Sequence, residues 1–380
     1  MSLPDASSDP AKSVLIRGMH GLGDNIHQRA VIRALLKRNY QIKLETSWPC
    51  VYHDMPIQFL RKPVALRTQL KNSQREAAKF APPVLPHHTT NTMQISYTRQ
   101  TISRTASQSV LEAMFVAAGL RNDYAEADFS LPIPKEWFDA IPGFRKPSEM
   151  GYSPLFEGAP SKPMMIYRPL VARPEWRGSS IRNAHESHYA ELVGMVRDTF
   201  FVVSVADLEE NREWIVGPQL KADLTFNHGE LSFEAMAALF SRAALVFTSN
   251  GFPAVLAPAV GTPTISIMGG YEPSSWLRDG AKLAPYLGID TMNPCSCGSS
   301  ACTKACNKLI DMPRARAAVA EFSAKLGFSL AAESRPIGKM FAPAVAGPLP
   351  QHRAREPRVM PRVRVGHPSL LTQRKPPARA

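Results

Sequence analysis

The chain has no long apolar run. Its longest stretch, Ala254 to Gly270, is broken by Pro258, Pro263 and several hydroxyls, and a bilayer span needs about 20 apolar residues. Met1 to Lys12 hold two Asp and two Pro around no apolar centre, so no signal peptide is expected there. These features predict a cytoplasmic protein with at most peripheral contact at the inner membrane. The sequence also lacks a Gly-x-Ser-x-Gly elbow, a His-Glu-x-x-His helix and a P-loop ending in Gly-Lys-Ser/Thr. It has no repeat at solenoid periods. Cysteine is scarce, five in 380 residues.

What remains is an ordinary globular composition, 44% apolar and 20% charged, in a length that suits two domains. Collagen, coiled coil and wholly disordered chains are excluded. The net charge of +13 suggests a nucleic-acid or anionic-surface partner. However, residues 331–380 hold ten Lys/Arg against two Asp/Glu. Most of the excess therefore belongs to a Pro/Arg-rich tail that cannot bury enough surface to order itself. Such a tail suits acidic phospholipid headgroups. No specific nucleic-acid partner is expected of the folded part.

Strands and helices alternate along the rest. Ser13–Arg17 reads as a strand, Asp24–Arg38 as a helix and Gln41–Glu45 as a strand. Val64–Arg67 and Met93–Tyr97 are strand candidates, and Gln108–Ala118 is an amphipathic helix. Prolines recur between Leu131 and Pro163, and a linker is placed at 151–162. A second array follows, with strands at Met164–Tyr167, Phe200–Val205, Ala222–Phe226, Ala244–Thr248 and Thr264–Met268. Its helices are Glu186–Arg197, Phe233–Ser241, Pro253–Val260 and Met312–Leu326. The expectation is a flexible 1–12, two doubly wound α/β domains of parallel sheet over 13–150 and 163–330, and a disordered tail over 331–380. Ligands of such folds bind at the carboxyl ends of the strands, here in the cleft between domains.

The first strand feeds Gly18, Gly21 and Gly23, then Asp24 at a helix start. Glycines allow tight turns, and a helix N-terminus attracts anions. Asp24 has two readings, a helix cap or a general base held beside a cleft. Arg173 and Arg177 lie in a basic loop with Gly178, Ser179 and Ser180, which suits a diphosphate or is simply solvated. Met268-Gly269-Gly270 ends a strand near the expected base pocket.

Val14-Leu15-Ile16-Arg17, Gly21-Leu22-Gly23-Asp24-Asn25-Ile26-His27 and Val31-Ile32-Arg33-Ala34-Leu35 resemble the opening of family 9 glycosyltransferases, the ADP-heptose:lipopolysaccharide heptosyltransferases and their relatives. Leu245 to Gly251 and Leu256 to Pro263 resemble that family's strand–loop–helix beside the donor nucleotide. The resemblance implies a GT-B fold with Rossmann-like halves. It implies inverting, metal-independent transfer from a nucleotide-sugar to a bacterial surface glycan or lipid-linked acceptor. Asp24 matches the family's base, Arg182 its phosphate-binding lysine, and Glu209 a ribose-binding acid. Asn250, Gly251, Phe252 and Gly269 fall in the donor region, and Gly21 and Gly23 in the acceptor or phosphate loop. Asn250 and Val255 stand where the family usually carries Asp and His. This motivates a second reading, a catalytically silent glycan- or nucleotide-binding module. A third, nucleic-acid binding, rests on the tail's charge alone.

Cys295, Cys297, Cys302 and Cys306 form C-x-C-x4-C-x3-C. The spacing fits a structural zinc site, with disulfides, free thiols and an iron–sulfur cluster as alternatives. His185 and His188, near a helix start, read as solvated, and His87-His88 has no evident partner.

Overall fold

Short apolar runs ending in glycine or a charge become the strands of two parallel sheets. In the computed structural model the described residues are 13–64, 66–81, 91–97, 108–144, 156, 159, 161–173, 182–210, 212–294, 308–330 and 341–342. All of them belong to one compact unit, Met1–Gly347. The first half comprises β1 (Ser13–Arg17), α1 (Leu22–Lys37), β2 (Gln41–Thr46), β3 (Gln58–Arg61), α2 (Arg67–Arg75), β4 (Thr92–Gln94) and α3 (Val110–Ala117). Its sheet runs β3-β2-β1-β4, and every pair is parallel. Val14 and Ile16 alternate with less buried neighbours along β1, the period-two burial of a strand.

The second half begins with β5 (Met164–Tyr167), β6 (Val171–Ala172), α4 (Glu186–Arg197), β7 (Phe201–Val205), β8 (Trp214–Ile215) and β9 (Gln219–Leu220). It continues with β10 (Leu224–Phe226), α5 (Phe233–Ser241), β11 (Leu245–Ser249), α6 (Pro253–Ala259), β12 (Thr264–Ile267), β13 (Tyr286–Ile289), α7 (Met312–Lys325) and β14 (Phe341–Ala342). The large sheet runs β10-β7-β5-β11-β12-β13, all parallel. That is the doubly wound order in which the chain reverses direction between its first and fourth strands. Strands β5, β7, β11 and β12 are buried along their whole length, as expected of a parallel sheet covered on both faces. Ser109, Ser232 and Asp311 cap α3, α5 and α7 by accepting a backbone N–H three residues on.

One apolar cluster joins the halves, running from Val14, Ile26 and Leu44 through Phe115 and Phe129 to Phe240, Leu256 and Trp276. A second covers the other face of the large sheet with Tyr167, Val193, Phe200, Phe247 and Val319. The Leu131 N–H donates to the Ala259 carbonyl at 2.7 Å, tying the first half to the end of α6.

Three expectations need correction. Arg67 opens a helix rather than ending a strand, and the strand in this region is β3. Gly21, not Asp24, is the N-cap of α1, and Asp24 lies in its first turn. Within 331–380, expected to be disordered, Phe341–Ala342 pairs antiparallel with β9. The remainder of that segment, residues 1–12 and most of 151–162 lie outside the described residues. Among the described residues, no helix is long and apolar enough to cross a membrane.

Candidate active site

In a doubly wound sheet the chain leaves adjacent strands in opposite directions at the switch point, and a crevice opens there. The small sheet switches between β1 and β4. Asp24 follows β1 and Tyr97 follows β4, and the Tyr97 hydroxyl donates to Asp24 Oδ1 at 2.7 Å. The large sheet switches between β5 and β11, which are followed by Arg168 and Asn250. Both switch points open on one cavity of about 330 Å³, whose lining includes Asp24, Tyr97, Arg168, Arg182, Asn250 and Glu272. Trp48, Phe233, Phe252 and Trp276 supply apolar wall.

The loop carrying Asp24 is held by buried polar side chains. Asn25 Nδ2 donates to the Met19 and Gly21 carbonyls at 3.0 and 2.7 Å. Gln28 Oε1 accepts the Met19 N–H at 2.8 Å, and Lys62 Nζ donates to the Gly18 carbonyl. A Cβ on Gly21 would lie 2.6 Å from Asp24 Oδ2, so any side chain there would displace the carboxylate. A Cβ on Gly23 would lie 3.3 Å from Phe252 Cα and 3.5 Å from Val255 Cγ2 in the other half. Burial pushes the Asp24 carboxyl above its ordinary range, while the Tyr97 hydrogen bond and the Arg182 charge pull it down. A carboxyl raised in this way holds a proton more tightly, which suits a group that accepts one.

On the opposite wall, Arg182 donates from Nε and Nη2 to Glu272 Oε2 at 3.2 and 2.9 Å. Asn250 Nδ2 donates to the same oxygen. The Glu272 charge is the main reason that the Arg182 guanidinium holds its proton more tightly than usual. Gly269 does not line the cavity. It lies behind Arg182, where a Cβ would meet the Arg182 and Asn183 carbonyls at 2.5 and 2.4 Å. Its lack of a side chain therefore lets the Arg182 loop pass.

Arg173 lines the cavity, but its Nε lies 2.6 Å from Glu213 Oε2. Glu213 is fully buried and also takes Arg168 Nη2 at 2.9 Å and Arg67 Nη2 at 3.4 Å. Glu209 lies outside the cavity lining. Arg67 and Lys71 of α2 pair with it, and both also pair with Asp207. Gly21, Gly23, Asp24, Arg173, Arg182, Asn250, Gly251 and Phe252 are thus brought together, while Glu209 and Gly269 are set apart. Arg177 and the four clustered cysteines lie outside the described residues.

Sequence reasoning missed Tyr97, Glu213 and Glu272. Each stands far along the chain from its partner, so no local pattern joins them. His27 also lines the cavity, but burial lowers its pKa to about 4 and keeps it neutral. Cys50, Glu76 and Glu234 bring potential ligand atoms within 4.8 Å of one another. Lys79 Nζ lies 3.3 Å from Glu234 and 3.9 Å from Glu76, and supplies the positive charge that this cluster needs.

No protein-family model and no curated protein sequence matches the chain. Solved structures do match. A family 9 glycosyl transferase from Veillonella parvula aligns with a TM-score of 0.51 at 13% identity, over 83% of this chain and 97% of that one. TibC from enterotoxigenic E. coli, described as a dodecameric iron-containing glycosyltransferase, aligns with a TM-score of 0.51 at 12% identity, over 83% and 76% of the two chains. The chain therefore has the two-sheet α/β fold of family 9 glycosyltransferase structures. This is the architecture that the resemblance at residues 14–35 and 245–263 implies.

Proposed function

We propose that the chain is an inverting glycosyltransferase that moves a sugar from a nucleotide-sugar to a hydroxyl acceptor. The observation that carries this reading is the meeting of the two switch points, which puts a carboxylate from one half and a guanidinium from the other in the lining of one cavity. Asp24 takes the proton from the acceptor hydroxyl as its oxygen attacks the anomeric carbon. The new glycosidic C–O bond forms as the bond from that carbon to the donor's phosphate oxygen breaks on the opposite face. Configuration inverts, and the nucleoside diphosphate leaves with the bonding pair. Arg182 offsets the charge that develops on that diphosphate, so the reading requires no metal for transfer. Tyr97 donates to Asp24 Oδ1 and fixes the carboxylate that receives the proton.

The acceptor belongs on the α1–α2 side, and by resemblance it is a bacterial surface glycan or its lipid-linked precursor, met at the cytoplasmic face of the inner membrane. The Pro/Arg-rich tail would contact anionic lipid there. C-x-C-x4-C-x3-C would hold a structural metal, zinc or iron; the structural relative TibC is described as iron-containing. Metal analysis of the purified chain should then find about one ion per chain, lost on replacing Cys295 and Cys302 by Ser. A silent binding module would bind the donor and transfer nothing. The test is transfer activity of Asp24→Asn with a donor chosen by thermal shift. Base chemistry requires a drop of about 10²–10⁴-fold, and full activity would refute the assignment.

A further inference from the structure

Three donors in the donor wall converge on one oxygen. Arg182 Nε, Arg182 Nη2 and Asn250 Nδ2 all point at Glu272 Oε2. A guanidinium has a planar fork that best matches two oxygens of a carboxylate or phosphate. Here Nε and Nη2 share a single oxygen of Glu272. Glu272 is half-buried in the cavity lining, and its negative charge helps to raise the Asp24 carboxyl. A carboxylate beside a second carboxylate is costly unless a cation lies close, and Arg182 is that cation.

We propose that Glu272 is an internal anion that pairs with Arg182 and Asn250 and is replaced there by the donor's diphosphate. This rests on the reading of the cavity as a nucleotide-sugar site. The exchange has a consequence for selectivity. A ligand must offer these donors more charge or more oxygens than one carboxylate does. A diphosphate does so by a wide margin, and an alkyl monophosphate by a smaller one. Asn250 fits the scheme as well. Its amide donates to Glu272, whereas an aspartate at 250 would repel it. The residue that departs from the family pattern is thus matched to an acid elsewhere in this chain.

The test is calorimetric titration of the full chain with inorganic pyrophosphate and with ADP, UDP and GDP. The proteins compared are wild type, Glu272→Gln, Arg182→Gln and the double variant. Glu272→Gln should tighten pyrophosphate and the preferred nucleoside diphosphate by about tenfold or more at low salt, because a competing charge is gone. In the Arg182→Gln background the same change should have a smaller effect, since Glu272 then competes for Asn250 alone. Glu272→Asp, which shortens the carboxylate's reach, should also tighten binding and serves if Glu272→Gln does not fold. Unchanged or weaker pyrophosphate binding in the Glu272 variants would overturn the proposal, as would an effect undiminished without Arg182. Tighter pyrophosphate with no nucleotide bound by any variant would uphold the exchange and overturn the donor reading. No binding of either ligand by any variant would overturn both.

Discussion

Replacing Asp24 by Asn removes one charge and one proton acceptor, and the two losses act in opposite directions. In the folded chain the carboxyl titrates above its ordinary value. Its ionisation therefore costs stability, a cost that grows as pH rises from the ordinary carboxylate value to the raised one and is constant above that. At neutral pH, Asp24→Asn should melt at the same temperature as wild type or higher, while transfer collapses. Differential scanning calorimetry beside an activity assay checks both, and a clear fall in melting temperature would contradict the burial argument. Tyr97→Phe removes the donor to Oδ1 and should raise the Asp24 pKa further. The acid limb of the rate–pH profile should then move to higher pH, by about one unit, with a smaller change at the optimum. An unmoved limb would mean that Tyr97 only packs.

The elements explain what the sequence could and could not disclose. Met164–Tyr167, Glu186–Arg197 and Phe233–Ser241 fall on the residues expected, because continuous apolar runs or apolar stripes mark them. Helix α2, Arg-Thr-Gln-Leu-Lys-Asn-Ser-Gln-Arg, has no such stripe. Polar bonds hold it instead, with Gln69 donating to the His20 carbonyl at 2.5 Å and Asn72 to the Ser47 carbonyl at 2.7 Å. Strand β3 buries no residue fully, and β13 contains Gly288, so neither shows the alternation that marks a strand. Of the site, Asp24 and the glycines were legible because they are contiguous. Arg173 was legible as a cation but not as a partner of Glu213, because β8 joins the site only through sheet topology. Glu213→Ala would leave Arg67, Arg168 and Arg173 without their shared, fully buried counter-ion. Breaking a buried ion pair costs about 3–5 kcal/mol, and denaturant unfolding should show a loss of that order. A loss below about 1 kcal/mol would show that water already compensates these charges.

The molecule as a whole is two parallel sheets sharing a core through α1, α5 and α6, with its site where their switch points face each other. Neither half holds both Asp24 and Arg182, so the proposed transfer requires both. Most of the net charge lies outside this unit, in the segment after Gly347. A chain ending at Gly347 should keep its melting temperature and its nucleotide binding while losing affinity for anionic vesicles, which cosedimentation would measure. A large drop in melting temperature would show that the tail belongs to the fold. The most direct test of the central claim is the rate of sugar transfer by Asp24→Asn, using the nucleotide-sugar that gives wild type its largest melting shift. The account requires the same melting shift in the variant with transfer slowed at least a hundredfold. Undiminished transfer by Asp24→Asn would contradict it.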